Sequence, residues 1–207
     1  MEIQLWREIL EPYELAVDEL VVKFRHLIAA NRRAGKYSPI EQVNGRVKTI
    51  SSILEKCQKK DVEFDQFEER IEDIAGIRII CQFVEDIYKV AEIIKNRTDM
   101  KVKSEKDYIS NVKDSGYRSY HMIVYYTVES VKGPKEIQVE IQIRTIGMDF
   151  WASLEHKIYY KFEGNAPAHI SRELRDCATI VSMMDAKMLQ LNEEIIKAKK
   201  EHEENKK

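Results

Sequence analysis

Several positively charged side chains recur at short intervals near the beginning of the chain. Arg46 and Lys48 are two residues apart, a spacing that places both on one face of a β-strand. Ser52, Lys56 and Lys59 follow at the intervals of one helix face. This basic strip, residues 46–59, therefore runs from a strand into the first turns of a helix, where free backbone N–H groups also attract anions. We predict a phosphate site here; a solvated helix face is the alternative.

Two acidic residues, Asp73 and Glu140, fall at the border of or within apolar strand patterns. A carboxylate in such a place is costly unless it is paired or bound to a cation. One carboxylate from each of two strands is a common way to hold Mg²⁺ between nucleotide phosphates. A structural salt bridge would explain either acid alone, but the two together beside the basic strip favour a metal site.

A third group of reactive side chains lies in the segment 113–121, which has the sequence KDSGYRSYH. In a strand, Tyr117, Ser119 and His121 would share one face. A tyrosine ring offers a stacking surface for a nucleic-acid base, worth about 1–3 kcal/mol, and Lys113 and His121 carry groups that bind phosphate or ribose. The pattern indicates a nucleotide-binding segment, although a plain amphipathic strand would also produce it.

Hydrophobic periodicity predicts the elements that position these groups. Strands are predicted at 43–48, 77–83, 100–103, 117–128 and 136–145. In the last of these, polar side chains alternate strictly with apolar ones, so Glu140, Gln142 and Arg144 share one face. The Gly133-Pro134 turn folds this strand onto the preceding one. We therefore predict that the acids, the aromatic residues and the basic strip share a cleft.

Helices are predicted between the strands and at both ends of the chain. Thr49 caps the helix that carries the basic strip, and Pro12 is placed at the start of a second N-terminal helix. A polar loop is predicted at 106–116, and a break at Gly164 before a long last helix. Six apolar residues of that helix are expected to pack against the N-terminal helices or another subunit: Ile180, Met183, Met184, Met188, Leu191 and Ile195. Strands interleaved with helices predict an α+β (α/β) fold.

Composition excludes several classes of protein. The 34 basic and 36 acidic residues give a net charge of −2, so no global field attracts nucleic acid or an anionic membrane. No apolar run approaches the roughly 20 residues of a membrane span, and the N-terminus lacks the pattern of a signal peptide. We therefore expect a cytoplasmic protein without membrane contact. Cys57, Cys81 and Cys177 lack zinc-site spacing and are expected to be reduced core thiols.

Four short motifs occur in a fixed order along the chain. They are Gly45-Arg-Val-Lys48, Asp73-Ile-Ala-Gly-Ile-Arg78, Ser115-Gly-Tyr-Arg-Ser-Tyr-His121 and Val139-Glu-Ile-Gln-Ile-Arg144. With these motifs the chain resembles the small alarmone synthetases, RelQ-type, of the RelA/SpoT (p)ppGpp synthetase superfamily. The resemblance implies a nucleotidyltransferase-like fold with a mixed β-sheet of about five strands. It divides the chain into N-terminal helices (1–38), a synthetase catalytic domain (39–163) and a C-terminal helical segment (164–207).

The activity that the resemblance implies is that of a GTP/GDP pyrophosphokinase, or GTP diphosphokinase, of the stringent response. Such an enzyme transfers the β,γ-pyrophosphate of ATP to the 3′-hydroxyl of GTP or GDP, which gives pppGpp or ppGpp and AMP. No hydrolase domain is implied. Mg²⁺ is held by acids that match Asp73 and Glu140, and Glu140 also activates the 3′-hydroxyl.

The resemblance also assigns the side chains that bind the two nucleotides. Adenine lies between arginines that match Arg46 and Arg78. The residues that hold the ATP phosphates match Lys48, Ser52, Lys56 and Lys59. The residues near GTP or GDP match Tyr117, on which guanine stacks, and Lys106, Lys113, His121 and Gln142. Lys106 departs from the arginine common in relatives, and it keeps the charge without the bidentate geometry.

Regulation and assembly are implied as well, because relatives of this type form homotetramers whose central cleft binds the product as an activator. The corresponding positions here hold Val21, Arg25, Gln42 and Asn44, and Asp149 stands where an amide is common. Because an acid near a phosphate pocket opposes binding, we predict that activation by the product is weak or absent.

Two other classes of protein stay open at this point. The basic strip and the tyrosines would also suit a protein that binds single-stranded RNA, although the net charge of −2 argues against a dedicated RNA binder. The long terminal helices would suit a catalytically inactive assembly module. Retention of both acids and of the basic strip argues against that second alternative.

Overall fold

A computed structural model describes residues 2–161 and 167–204 of the chain. Five strands form one sheet in the order β1-β2-β5-β4-β3: β1 (Gln42–Val47), β2 (Ala75–Cys81), β3 (Met100–Asp107), β4 (Tyr120–Ser130) and β5 (Gly133–Thr145). β2 and β5 are parallel, whereas the other neighbouring pairs are antiparallel. This mixed sheet with flanking helices confirms the predicted fold class. The predicted break at Gly164 lies outside the described residues.

Six α-helices accompany the sheet in the described ranges: α1 (Glu2–Arg33), α2 (Ile50–Lys60), α3 (Phe67–Arg70), α4 (Val84–Lys95), α5 (Ile146–Lys161) and α6 (Ala168–Glu204). Thr49 caps α2 as predicted, since its hydroxyl oxygen accepts a hydrogen bond from the Ser52 backbone N–H at 3.3 Å. The prediction that a second helix begins at Pro12 is wrong, because α1 runs through this residue. Leu10 and Tyr13, on either side of it, are buried in the core, and this packing outweighs the lost backbone hydrogen bond.

The apolar face of the sheet forms the main core together with α1 and α4. Its central side chains, which are at most 1% exposed, are Ile77, Ile79, Ile141 and Ile143. Gly45 is required where α1 approaches β1, since a Cβ there would lie 2.4 Å from the Val17 side chain. No helix among residues 2–161 and 167–204 combines the length and the apolar character of a membrane span. The helices on this face leave the polar face of the sheet available for a site.

Two boundaries around β3 and β5 differ from the predictions. β3 extends through Lys106, which was placed in a polar loop, because this residue pairs in register with His121 of β4. The connection between β4 and β5 is only residues 131–132, since Ser130 pairs directly with Gly133. The predicted hairpin is therefore present, with its turn displaced toward the N-terminus.

β4 begins at Tyr120 and not at Tyr117, so the aromatic segment enters the sheet from a loop. The cause is Gly116, which adopts a φ of 89° that other residues rarely adopt. A Cβ at Gly116 would lie 2.6 Å from the Cβ of Ala178, so the loop presses closely against α6. The prediction that Tyr117 and Ser119 belong to the strand is wrong for this reason.

The C-terminal helix α6 packs on α5 through a second, smaller core. Trp151 of α5 is buried there and donates a hydrogen bond to the Leu174 carbonyl oxygen at 2.8 Å. The six apolar residues of α6 between Ile180 and Ile195 are 39–67% exposed, so the prediction that they pack against the N-terminal helix is wrong. Contact of these residues with another subunit stays a prediction. Cys177 is exposed on the same helix and is not the core thiol that was predicted.

Candidate active site

The polar face of the sheet carries two adjacent rows of functional side chains. In the first row, paired positions on neighbouring strands hold Lys106, His121, Gln142, Arg78 and Asn44 in that order. In the second row, Glu140, Gly76 and Arg46 are paired. Because paired residues project on the same side of a sheet, residues far apart in sequence lie side by side. Strand register therefore brings part of the basic strip to Glu140 and Gln142.

Two adjoining clefts open on this face. The first has a volume of about 270 Å³ and is lined by Asn44, Gly45, Arg46, Gly76, Ile77, Arg78, Glu140 and Gln142. Gly76 keeps it open, since a side chain there would project between Arg46 and Glu140. The second cleft, of about 360 Å³, shares Arg46, Arg78 and Gln142 with the first and reaches Tyr117 and α5. Two adjoining cavities with shared lining residues are suited in position to two neighbouring ligands.

Asp73 lies immediately before β2, where the basic strip meets the sheet. Its Oδ2 atom contacts the ammonium groups of Lys56 at 2.6 Å and Lys48 at 3.1 Å. Burial alone would raise the pKa of Asp73, but the hydrogen bond from Lys56 and the charge of Lys48 outweigh it and hold that pKa below its usual value. The carboxylate is therefore ionised, with two of the predicted lysines gathered around it.

The other oxygen of Asp73, Oδ1, is buried and has no hydrogen-bond partner. A metal ion or a further donor would compensate the desolvation of this charged atom. The charge of Asp73 also opposes the ionisation of Glu140, which places the two acids within electrostatic reach of each other. No cluster of three or more metal-ligating side chains occurs in the described part of the chain. Two carboxylates suit Mg²⁺, which completes its shell with water and substrate phosphates.

Glu140 belongs to a closed ring of hydrogen-bonded side chains. Its Oε1 lies 3.1 Å from His121 Nδ1, and its Oε2 accepts from the Gln142 amide at 2.8 Å. Arg144 donates to the Gln142 amide oxygen at 2.9 Å and to the Tyr117 hydroxyl at 2.6 Å. That hydroxyl lies 2.8 Å from His121 Nε2, which closes the ring. Because an ionised carboxylate can only accept, His121 Nδ1–H donates to Glu140, and in this neutral tautomer Nε2 accepts from the Tyr117 hydroxyl.

This ring determines the ionisation of Glu140. Burial alone would raise the pKa of its carboxyl group, but the hydrogen bonds from His121 and Gln142 lower the pKa below its usual value despite the nearby Asp73. Glu140 is consequently a charged, oriented carboxylate at the wall of the first cleft. Such a group can accept a proton from a ligand or hold a cation.

An aromatic cluster surrounds Tyr117. The ring centroids of Tyr108, Tyr117 and His121 lie 5.2–6.1 Å apart. The Lys113 ammonium group stands over two of these rings, 4.5 Å from the centre of Tyr108 and 5.0 Å from that of Tyr117. The predicted residues therefore meet, although Tyr117 arrives from the loop. Sequence reasoning does not assign Tyr108 to the site. The feature that could have indicated it is its position as an aromatic residue directly after β3.

The remaining predicted side chains lie at the margin of the site. Ser52 is in the first turn of α2, where its hydroxyl accepts a hydrogen bond from Thr49 Oγ1 at 2.9 Å. Lys59 is exposed one turn beyond Lys56, and Lys106 is exposed on β3. The two lysines extend the positive charge outward from the two clefts.

Among residues 2–161 and 167–204, the positions expected to form a regulatory cleft are distributed over different surfaces. Arg25 and Gln42 line a groove of about 330 Å³, whereas Asn44 lines the first cleft and Val21 packs close to Gly45. Asp149 contacts Arg78 and Arg144 on the polar face. The reason is that α1 and α5 lie on opposite faces of the sheet, which separates Val21 and Arg25 from Asp149.

Helix α5 supplies residues that sequence reasoning does not assign to the site. Glu155 and His156 line the second cleft, and Asp149 pairs with Arg78 at 3.4 Å and with Arg144 at 3.0 Å. The order of the elements along the chain does indicate this placement. Because α5 begins directly after the polar strand β5, its first turns must lie near that strand.

The mixed sheet, the two adjoining clefts and the pair of acids beside lysines have the composition of a site for phosphorylated nucleotides and a divalent cation. A sequence model of the family described as "Region found in RelA / SpoT proteins" matches residues 45–165. Since this match spans more than half of the chain, the protein belongs to that family.

Individual relatives are similar over nearly the whole chain. The GTP pyrophosphokinase YjbM of Bacillus subtilis (strain 168) is 42% identical over 198 residues, which are 96% of this chain and 93% of the relative. The solved structure of the small alarmone synthetase 1 from Bacillus subtilis bound to its product pppGpp has a TM-score of 0.89 and 43% identity, and covers 93% of this chain and 98% of that chain. The structure of the same synthetase bound to AMPCPP has a TM-score of 0.82 and 39% identity, with 94% and 99% covered.

Proposed function

We propose that this protein is a GTP diphosphokinase, which transfers the pyrophosphoryl group of ATP to the 3′-hydroxyl of GTP or GDP. Relatives of similar length are named for this activity or hold pppGpp. The observation that carries the proposal is Asp73, an ionised carboxylate flanked by Lys48 and Lys56, with one buried oxygen unpaired and its charge acting on Glu140. The products are pppGpp or ppGpp and AMP, the alarmones of the stringent response.

The first cleft is the proposed site of the ATP donor. Arg46 and Arg78 line it from the adjacent strands β1 and β2, and planar guanidinium groups stack well on an aromatic base. Lys48 and Lys56 then meet the triphosphate, with Ser52 and Lys59 further along α2. Pyrophosphoryl transfer depends on alignment and on neutralisation of phosphate charge, and this row of cations supplies both.

Asp73 and Glu140 are the residues that would hold Mg²⁺. When bound, the ion would neutralise the phosphates and the charge that develops on the leaving AMP. Asp73 Oδ1 would gain the partner that it lacks, while Oδ2 keeps its contacts with Lys48 and Lys56. The two lysines would thus hold the Asp73 carboxylate in place for the ion while neutralising part of the carboxylate's charge.

The second cleft is the proposed site of GTP or GDP. Guanine stacks on Tyr117 and takes the position over the ring that the Lys113 ammonium holds in the free protein. Lys113 and Lys106 then provide positive charge for the 5′-phosphates. His121 and Gln142 lie in register beside Glu140 and orient the ribose toward the first cleft.

Glu140 acts as the general base. One of its oxygens exchanges a hydrogen bond from Gln142 or His121 for one from the 3′-hydroxyl and then takes that proton. The 3′-oxygen forms a bond to the β-phosphorus of ATP, and the bond from this phosphorus to the oxygen bridging the α-phosphorus breaks. AMP leaves with that electron pair, so one AMP is released for each guanosine nucleotide modified.

The test is incubation of the protein with ATP, GTP and MgCl₂, followed by separation of the nucleotides. We expect AMP and pppGpp in equal amounts, and neither from Asp73→Asn. Asp61→Asn is the matched control, because Asp61 is an exposed carboxylate in the left-handed conformation that asparagine also accepts. Formation of ADP without AMP, or full activity of Asp73→Asn, would overturn the proposal.

Assembly and location complete the proposal. The exposed apolar stripe of α6 supports a homotetramer, in which residues 1–38 and 164–207 serve assembly and residues 39–163 serve catalysis. A cytoplasmic location matches the supply of ATP and GTP. Light scattering should give four times the chain mass, and a monomer would contradict it.

Single-stranded RNA is a separate partner to test, since Asp73→Asn should lose synthesis without losing RNA binding.

A further inference from the structure

Asp149 contacts two arginines that belong to different parts of the site. Its Oδ1 atom lies 3.0 Å from Arg144 Nη1 and 3.4 Å from Arg78 Nη1. The side chain of Asp149 is 25% exposed and that of Arg144 is 6% exposed, so solvent screens this contact only in part. One carboxylate oxygen therefore joins the two guanidinium groups.

The backbone fixes Asp149 in this place. Thr145 ends β5 and caps α5, since its hydroxyl oxygen accepts a hydrogen bond from the Met148 backbone N–H at 3.0 Å. Gly147 lets α6 approach this corner, because a Cβ there would lie 2.9 Å from side chains of that helix. Asp149 is in the first turn of α5, where the helix N-terminus also favours a negative charge. Its carboxylate is thus held by a rigid junction and not by a loop.

Arg144 connects Asp149 to the acceptor side. Its Nη2 donates to the Tyr117 hydroxyl at 2.6 Å and to the Gln142 amide oxygen at 2.9 Å. Its Nε donates to Ser119 Oγ at 3.3 Å. Because the guanidinium group is planar and rigid, a ligand that moves Tyr117 or Gln142 also moves the nitrogen that contacts Asp149.

Arg78 connects Asp149 to the donor side. It lines both clefts, and its side chain is 35% exposed. Its buried Nε has no hydrogen-bond partner and therefore does not fix the direction of the guanidinium group. The ion pair with Asp149 restricts that direction instead. A ligand that stacks on Arg78 requires one orientation of that group.

We propose that Asp149 is a positioning residue that couples the two nucleotide sites. This inference depends on the proposed function, because it takes Arg78 as part of the donor site and Tyr117 as part of the acceptor site. Binding of guanine nucleotide to Tyr117 and Gln142 fixes Arg144, which fixes the Asp149 carboxylate and hence Arg78. The adenine site is then ordered before ATP arrives. Coupling of binding is reciprocal, so ATP strengthens acceptor binding by the same factor.

The coupling requires the carboxylate of Asp149. An amide, which the resemblance to relatives leads us to expect at this position, has one acceptor oxygen and no charge. It can accept from Arg144 but has no charge with which to attract Arg78 at 3.4 Å. Asp149→Asn should therefore keep α5 in place and release Arg78.

The test measures the affinity for AMPCPP by calorimetry in the presence of MgCl₂, with and without saturating GDP. AMPCPP does not react, because a methylene group replaces the oxygen whose bond to phosphorus must break. In the natural sequence we expect GDP to tighten AMPCPP binding by about fivefold or more, and in Asp149→Asn by less than about twofold. Asp149→Glu, which keeps the charge, should restore part of the effect.

Asp185→Asn is the matched control. Asp185 is a partly buried carboxylate that accepts a hydrogen bond from Thr145 Oγ1 at 2.6 Å. Thr145 directly follows Arg144 in the sequence, but Asp185 itself contacts neither Arg144 nor Arg78. Asp185→Asn should keep the GDP effect of the natural sequence. An unchanged GDP effect in Asp149→Asn, even with a lower melting temperature, would assign Asp149 a purely structural role and overturn the inference. Failure of the natural protein to make pppGpp would instead overturn the proposed function.

Discussion

The two faces of β5 differ in what they contribute, although one alternating sequence builds both. On the apolar face, Ile141 and Ile143 are fully buried against the helices. On the polar face, Glu140 and Gln142 remain within reach of solvent and hold each other through a hydrogen bond of 2.8 Å. Because of this alternation, a residue that stabilises the core and a residue that serves the site are direct neighbours in the sequence. Substitutions at neighbouring positions of this strand should therefore have different consequences.

The largest effect is expected on the polar face, from Glu140→Gln. The amide cannot take the 3′-hydroxyl proton and is a weaker ligand for Mg²⁺, so kcat/KM should fall by about 10²- to 10⁴-fold. The melting temperature should change little, because the apolar face is intact. Steady-state kinetics with ATP and GTP, together with thermal unfolding, check both halves of this prediction. Near-normal synthesis by the variant would show that Glu140 is not the general base.

Ile141→Ala makes the corresponding change on the apolar face. The cavity it leaves in the core should lower the free energy of unfolding by about 2–5 kcal/mol. The folded fraction should keep its kinetic constants, because Ile141 lines neither cleft. Urea denaturation and kinetics at low temperature test this, with Ile141→Val as the milder control at about 0.5–1.5 kcal/mol. Full stability combined with lost activity would show that the two faces are not separable.

A smaller effect is expected from Tyr117→Phe, which removes a hydroxyl and keeps the ring. Arg144 and His121 each lose a hydrogen-bond partner, so KM for GTP should rise by about tenfold with a smaller change for ATP. Tyr126→Phe is the matched control on the α1 side, where the hydroxyl bonds Glu19 and Lys23 at 2.6 Å each. It should lower stability and leave KM unchanged. A rise in KM for GTP in both variants would contradict the assignment.

The smallest effect concerns Asp99, which ties α1 to the turn before β3. Its hydrogen bond from Arg97, with a further one from Lys23, lowers the pKa of Asp99 to about 2. Because the folded pKa lies below the unfolded value, the stabilisation is present above about pH 4 and is lost as the pH falls toward 2. The group is largely exposed, so Asp99→Asn should cost at most about 1 kcal/mol near neutral pH. Urea denaturation across this range should show the difference between the two proteins shrinking, and a difference that grows in acid would contradict it.

Much of the site could be predicted because it is built from regular elements. Alternation alone puts Glu140 and Gln142 on one face of β5, and the cap at Thr49 places Lys56 on the helix beside Asp73. Periodicity is a local property of the chain, and it survives folding wherever one face is buried. The fixed order of the four motifs then indicates the family, which no single motif does.

The remaining features depend on contacts between elements that are distant in sequence. Tyr117 enters from a loop because Gly116 meets α6, and α1 continues through Pro12 because residues on both sides of it are buried. Asp149 joins the site because α5 turns back over the polar face. The first two arrangements have no local sequence signature, since tertiary packing determines each of them, and only chain order indicates the placement of Asp149.

The central claim is that the β-phosphorus of ATP is transferred with its γ-phosphate to a guanosine 3′-oxygen. It is tested most directly with ATP labelled at the β-phosphorus, incubated with the protein, GTP and MgCl₂. We predict that the label moves into pppGpp and that unlabelled AMP is released in equal amount. Label that stays in ADP, or that appears as free pyrophosphate without any guanosine product, would contradict the account.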